Sequence, residues 1–251
     1  MALSLRVAPT GGAAPLMQLQ KIQAFIAEYR QWLASPEAGV RIFYWETQAL
    51  WQAHWDINAP DLRPGFEAGL ENSLTRRLWN RQAYEPKRMM LAFMEMEPEF
   101  VRSMFIDLFN EQRDAVGRAD RFVFYCDQLI GQYRERNPLS PDTRHYHDDG
   151  YGMISLYLSF QYPTLYAPYR ADRLAILLDR LGSKDLPTGG DFERYTKVMR
   201  TLWGMLQKDA EVISLHTARL LPGRHYMDDS LLLAFDFACF IAGETTPISQ
   251  P

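Results

Sequence analysis

Apolar residues recur at intervals of three and four along much of this chain, which is the spacing that places side chains on one face of an α-helix. The first such stripe is Leu19, Ile22, Phe25, Ile26, Tyr29 and Leu33. It predicts a helix that buries one face. The same spacing predicts further helices over Phe66–Leu78, Val101–Phe109, Phe122–Tyr133, Leu174–Leu181 and Phe192–Leu206.

Three residues at the edges of these stripes support the predicted helix ends. Pro98 suits the first turn of a helix, where its missing N–H is not needed. Asp191 can cap the helix over Phe192–Leu206 by accepting a backbone hydrogen bond, and Gly182 can end the helix before it. Strict period-two alternation is not sustained, so we expect a mainly α, multi-helix globular domain of roughly nine to eleven helices.

Composition shifts divide the chain into five segments. Residues 1–17 are small and largely uncharged, which predicts a flexible leader. The proline-containing segment 137–149 could separate an N-terminal helical lobe, 18–136, from a C-terminal helical lobe, 150–242, with one core shared between them. Residues 243–251 have the composition of a linker or tail.

The overall charge limits the possible partners. The 251 residues include 27 Lys and Arg against 31 Asp and Glu, so the net charge is −4 and any nucleic-acid surface must be local. Cys126 and Cys239 each lie in an apolar run, which predicts buried thiols in a reducing compartment. The sequence contains neither a long apolar span nor a signal-peptide pattern, which favours a cytoplasmic location.

His145, His147, Asp148 and Asp149 form the first candidate site, because imidazoles and carboxylates bind zinc and non-haem metals. Ligands two residues apart need an extended backbone, however, and the sequence indicates no further ligand pair. Asp148 or Asp149 has a simpler role in capping a helix that begins near Gly150. We therefore expect a capping loop, with no metal and no cofactor in this chain.

The chain offers little evidence of catalysis. It contains no phosphate-binding G-x-x-x-x-G-K-[ST] segment and no G-x-S-x-G nucleophile elbow. Glu95, Glu97 and Glu99 could serve acid–base chemistry, but around Pro98 they are more typical of a helix end followed by a helix start. We therefore expect that this chain is not an enzyme.

A basic and aromatic stretch is the second candidate site. Residues 75–88, TRRLWNRQAYEPKR, contain a single acid, Glu85. Cations could contact phosphates while aromatic rings stack on bases, although a solvated helix face is the alternative. The candidate nucleic-acid residues here are Arg76, Arg77, Trp79, Arg81, Tyr84, Lys87 and Arg88.

A third candidate is the turn in which Pro163 and Pro168 break the chain around Tyr162, Tyr166, Tyr169 and Arg170. Tyrosines in a proline-stiffened turn can form a recognition surface. Packing against neighbouring helices is their more common role, and we expect it here.

Five segments, taken in order, resemble the N-terminal region of bacterial McrB-like restriction proteins. They are FYWETQALWQAHWDINAPDLRPGFEAGLENS (43–73), YEPKRMMLAFMEMEPEFVRSMFIDLFNE (84–111), ISLYLSFQYPTLYAPYR (154–170), DFERYTKVMRTLW (191–203) and YMDDSLLLAFDFACFIAG (226–243). The resemblance implies a module that precedes an AAA+ motor and works with an McrC-like nuclease. The motor's own nucleotide-binding motifs are not in this sequence.

The resemblance predicts a non-catalytic specificity or docking module of an antiphage restriction system, with DNA, possibly modified, as its ligand. A second basic cluster, Arg170, Arg173, Lys197 and Arg200, could complete the surface. The alternative is a protein-interaction or oligomer-supporting scaffold that senses a phage protein or positions the motor. One contiguous positive face with exposed Trp79 or Tyr84 would favour DNA, whereas scattered cations beside a broad exposed apolar patch would favour a protein partner.

Overall fold

The computed structural model of the chain describes residues 17–73 and 86–244, which fold into α-helices joined by turns without any β-strand among them. The predicted mainly α, multi-helix domain is thereby confirmed. The eleven helices of the described residues are α1 (Leu19–Leu33), α2 (Phe43–His54), α3 (Arg63–Gly69), α4 (Pro86–Met96), α5 (Pro98–Leu108), α6 (Ala115–Arg136), α7 (Gly152–Gln161), α8 (Ala171–Arg180), α9 (Phe192–Leu206), α10 (Ala210–Ala218) and α11 (Leu232–Ile241).

The helix ends follow the local chemistry of the sequence. Asp191 caps α9, its Oδ1 accepting from the backbone N–H of Arg194 at 2.9 Å. Pro98 is the first residue of α5. Gly182 ends α8 in the left-handed conformation, with φ +75°, and its N–H donates to the carbonyl of Asp179 at 2.8 Å.

The helix predicted over Phe66–Leu78 ends much earlier than the apolar spacing indicates. α3 stops at Gly69, where a Cβ would lie 3.4 Å from Trp51, so the chain passes close to α2. Asn72 then donates to the hydroxyl of Thr47 at 2.7 Å. This polar contact with α2 replaces a further helical turn, and Leu74 and Leu78 lie outside the described residues.

Two helices form the most deeply buried part of the core. Every residue of α7 from Met153 to Phe160 is buried, and in α11 only Phe240 is partly exposed. α11 packs against α1, α8 and α9, while α7 packs against α2. A helix that is covered on all sides carries no polar face, which is why α11 shows no clear apolar stripe in the sequence.

Helices from both sides of segment 137–149 contact one another. α1 packs against α10 and α11, and α6 packs against α9. The buried apolar side chains from Ile22 to Ile241 belong to one hydrophobic cluster. The division into two lobes stays a prediction, and both the leader up to residue 16 and the tail from residue 245 lie outside the described residues.

The tyrosine-rich turn is part of this core. Tyr166 and Tyr169 are each only 4% exposed, and their rings pack against Phe192 of α9. Tyr162 is partly buried and donates to the carbonyl of Phe109 at 2.6 Å. The packing role expected for these tyrosines is confirmed. Among the described residues, no helix combines the length and apolar character that crossing a membrane requires.

Candidate functional site

The first predicted basic cluster lies only partly within the described residues. Lys87 and Arg88 are in the first turn of α4. The Nζ of Lys87 is 3.2 Å from a carboxylate oxygen of Glu71, and Arg88 donates twice to Asp142, at 2.6 and 2.9 Å. Both cations are therefore held by acids of the chain. The cluster members outside the described residues are Arg76, Arg77, Trp79, Arg81 and Tyr84.

Arg170 and Arg173 of the second cluster lie together at the start of α8. Both guanidinium groups contact Asp172, at 3.2 Å in each case. Both also contact Glu244, at 3.5 Å from Arg170 and 2.7 Å from Arg173. Burial alone would lower the pKa of Arg170, but these two carboxylates raise it overall, so the group stays charged and neutralised within the chain.

The remaining two cations of the second cluster lie on α9 and have separate partners. Lys197 is 2.5 Å from the carboxylate of Glu193 one turn earlier. Arg200 donates to the carbonyl of Leu165 at 3.0 Å, and its guanidinium lies 5.9 Å from the centre of the Tyr166 ring. Each described residue of the two clusters thus has a partner within the chain.

The described surface as a whole carries an excess of acid. Four of the 27 cations and one of the 31 acids lie outside the described residues, so the described residues have a formal net charge of −7. The described cations whose side chains make no hydrogen bond or ion pair with another described residue are Lys21, Arg134, Lys184 and Lys208. They lie on α1, on α6, after α8 and after α9, so they are spread over different elements rather than collected on one.

Charges of both signs also line an open groove of about 520 Å³ along α3 and α4. Its charged residues are Asp61, Arg63, Glu67, Arg88 and Glu95. The groove therefore does not present a single sign of charge to a ligand.

Two of the three carboxylates predicted to flank the helix ends around Pro98 take that structural role. Glu97 is the residue before α5 and binds Arg136 at 2.5 Å, while Glu99 lies in the first turn of α5 and binds Arg102 at 3.3 Å.

The loop before α7 turns two imidazoles into the interior. His145 and His147 are 3% and 0% exposed, and their rings stack with centroids 5.8 Å apart. Between them, Tyr146 adopts a left-handed backbone with φ 62°. If residues 145–147 were extended, the side chains of His145 and His147 would also point the same way, but the chain would run straight. The left-handed backbone at Tyr146 instead bends the loop.

Hydrogen bonds to the backbone establish which nitrogen of each ring carries the proton. The N–H of His147 donates to His145 Nδ1 at 3.0 Å, so the proton of His145 is on Nε2, which lies 3.1 Å from Asp127. Nδ1 of His147 lies 2.8 Å from the carbonyl oxygen of His145 and must donate to it. Nε2 of His147 then accepts from the hydroxyl of Tyr157 at 3.0 Å.

A third potential metal ligand joins the two histidines. Cys126, on the buried face of α6, is 0% exposed, and one donor atom from each of Cys126, His145 and His147 lies within 4.8 Å of the other two. Burial raises the pKa of the Cys126 thiol, and burial with a smaller contribution from His145 lowers the pKa of His147 to about 3. The group can hold a metal ion, but it cannot supply a solvent-accessible nucleophile.

The two aspartates that follow the histidines do not join this group of donors. Asp149 accepts from the backbone N–H of Met153 in the first turn of α7 at 3.2 Å, which is the kind of contact predicted, although the N-cap residue itself is Tyr151. Asp148 instead binds Arg144 at 3.0 Å. Sequence reasoning considered the aspartates as ligands and missed Cys126. The available signal was that Cys126 keeps the helical spacing of the apolar residues over Phe122–Tyr133, which places it on the buried face of α6.

A second buried polar cluster surrounds Asp236 of α11, which is 0% exposed. Its carboxylate accepts from Tyr29 at 2.6 Å, from Arg41 at 2.5 Å and from Arg219 at 2.8 Å. Burial opposes the charge of Asp236, but Arg219 and Arg41 prevail and lower its pKa to about 2. This cluster joins α1 and α11 to the turns before α2 and after α10. The lone acid in the apolar run LLLAFDFACF was its signal in the sequence.

Comparisons of the chain with protein-family models, with curated proteins and with solved structures gave no match.

Proposed function

We propose that this chain is a non-catalytic docking module of an McrB-like antiphage restriction system, and that it contacts protein, including the AAA+ motor, rather than DNA. The place in a restriction system rests on the resemblance of five sequence segments. The preference for protein rests on one observation. Each described cation of the two basic clusters is held by a carboxylate or a carbonyl of the chain itself.

These pairings work against phosphate binding even though they are weak. Breaking an exposed ion pair costs only about 0–1 kcal/mol. The carboxylate that is released stays beside the cation, however, and repels an incoming phosphate. Arg173 and Glu244, 2.7 Å apart, and Lys197 and Glu193, 2.5 Å apart, are examples. The net charge of −4 on the whole chain also works against association with nucleic acid over longer distances.

The non-catalytic part of the proposal is supported by the burial of both thiols. Cys126 and Cys239 are 0% and 4% exposed, and burial raises the pKa of each, so neither is an activated nucleophile. Nucleotide hydrolysis would belong to the motor.

Recognition of DNA is the second candidate function, and it rests on residues 74–85. This segment carries Arg76, Arg77 and Arg81 against one acid, Glu85, which is the local basic excess that the described surface lacks. The segment lies outside the described residues, so this candidate depends on the sequence alone.

DNA binding across a salt series separates the two functions. The chain would be titrated into labelled duplex, single-stranded and cytosine-modified DNA, and binding followed by fluorescence anisotropy. One variant replaces Arg76, Arg77 and Arg81 by Ala. A matched control replaces Lys21, Arg134 and Lys208 by Ala, which removes the same charge from cations without a partner among the described residues.

A docking module that contacts protein gives at most weak binding, and the two variants reduce that binding equally. A DNA reader that uses residues 74–85 behaves differently. Three phosphate contacts would weaken binding about 40-fold between 50 and 200 mM salt, and only the Arg76, Arg77 and Arg81 variant would abolish it. That second pattern would overturn the proposal in favour of DNA.

A further inference from the structure

We propose that Cys126, His145 and His147 form a structural zinc site in the core of the domain. This site is independent of the docking function, since it concerns how the loop before α7 is held in place. One donor atom from each of the three side chains lies within 4.8 Å of the other two, and all three residues are buried. One thiolate and two imidazoles are ligands that zinc commonly takes, with a fourth position left for an oxygen donor or water.

The hydrogen bonds indicate which nitrogens would face the ion. In most metal sites, a ligating histidine donates its other ring N–H to a carboxylate or a backbone carbonyl. His145 meets this condition through Nε2 and Asp127, and His147 through Nδ1 and the carbonyl of His145. His145 Nδ1 and His147 Nε2 are therefore the ligand nitrogens, together with the sulfur of Cys126.

Each of these two nitrogens accepts a hydrogen bond in the structure, and zinc would take the place of both. The backbone N–H of His147 donates to His145 Nδ1, and the hydroxyl of Tyr157 donates to His147 Nε2 at 3.0 Å. The Tyr157 oxygen lies 3.0 Å from this ligand nitrogen and is one protein oxygen that could approach the fourth position. The Cys126 thiol would release its proton when the ion binds.

The backbone of the loop is a second observation in favour of a site. Tyr146, between the two histidines, and Tyr151, directly before α7, both have a left-handed backbone, with φ of 62° and 71°. Residues other than glycine adopt this conformation at a cost, and such residues concentrate where a site demands a specific geometry. An ion bound by α6 and by this loop would hold that geometry.

Metal content provides the test, because the chain contains a matched control cysteine. Cys239 on α11 is also buried and has no disulfide partner, but it is not part of the donor group. The untagged full chain would be produced with zinc in the medium, dialysed against metal-free buffer and analysed for metal and protein. The Cys126→Ser, His147→Gln and Cys239→Ser variants would be treated identically.

The proposal expects one zinc per chain in the wild type and in Cys239→Ser, and at least a tenfold lower content in the other two variants. Absence of metal from the wild type, or equal contents in Cys126→Ser and Cys239→Ser, would overturn it. If the site variants fail to fold, cobalt replaces zinc in the wild-type chain. A near-ultraviolet thiolate-to-cobalt band then supports the site, and its absence refutes it.

Discussion

Replacing Asp236 by Asn tests the claim that one buried carboxylate joins distant parts of the fold. Asn has nearly the same shape, so the packing of α11 is preserved while the negative charge is removed. Arg41 and Arg219, whose side chains are only 8% and 10% exposed, would lose their common counter-charge. The hydroxyl of Tyr29 would donate to a neutral amide oxygen in place of the carboxylate.

The expected loss of stability follows from the pKa of Asp236. Its decrease from an ordinary value of 3.8 to about 2 means that the folded state favours the charged form by about 2–3 kcal/mol. Removing one partner from a buried ion pair typically costs about 3–5 kcal/mol, because the other charge is left unpaired. We therefore expect Asp236→Asn to lower the free energy of unfolding by about 3 kcal/mol.

Urea unfolding followed by circular dichroism measures this free energy, and Glu193→Gln is the matched control. That change also removes one carboxylate from an ion pair, but the pair of Glu193 and Lys197 is about two-thirds exposed, at 65% and 68%. The control should change stability by less than about 0.5 kcal/mol. A loss below about 1 kcal/mol in Asp236→Asn would refute the role assigned to the buried cluster.

The difference in free energy of unfolding between the wild type and Asp236→Asn should depend on pH. Because the pKa of Asp236 is lower in the folded state, its contribution is complete above the unfolded value of about 4. It is lost as the pH falls towards the folded value of about 2. The stability difference between wild type and Asp236→Asn should therefore shrink from pH 4 to pH 2. A difference that stays constant over this range would contradict the assignment.

Two substitutions and one labelling experiment test other parts of the fold. Gly182→Ala should lower the free energy of unfolding by about 1–2 kcal/mol, since φ is +75° and the new Cβ would lie 2.6 Å from Gln18; a neutral result in urea unfolding would argue against this turn. Asp114→Ala should cost about 1 kcal/mol in the same assay, because Asp114 caps α6, and an unchanged midpoint would speak against the cap. Cys126 and Cys239 should react with a thiol reagent only after unfolding, and rapid labelling of the native chain would disprove their burial.

Amphipathic helices were the part of the fold that the sequence predicted well. α1, α6 and α9 each bury one face and expose the other, so their apolar residues keep the helical spacing. α11 is buried on almost every side, so its sequence is an apolar run without the alternation of apolar and polar faces that marks an amphipathic helix. α3 ends at Gly69, and Asn72 then donates to Thr47 on α2, a contact with another helix that has no local signal in the sequence.

The sites depend still more on contacts between distant residues. Arg88 stands in a basic stretch of the sequence, yet its partner Asp142 is 54 residues away. The spacing of His145 and His147 alone indicated a poor metal site, and the sequence did not show that Cys126 of α6 lies beside both of them. Side-chain chemistry can be read from a sequence, but the partners that neutralise a charge or complete a ligand set depend on the fold.

Sedimentation velocity of the chain with each of its two possible partners tests the central claim most directly. The chain would be mixed with the AAA+ motor of the proposed restriction system, or with duplex DNA, at about 0.15 M salt, where long-range charge effects are largely screened. The docking account predicts that the chain sediments with the motor and remains free in the presence of DNA. Sedimentation with DNA and not with the motor would contradict it.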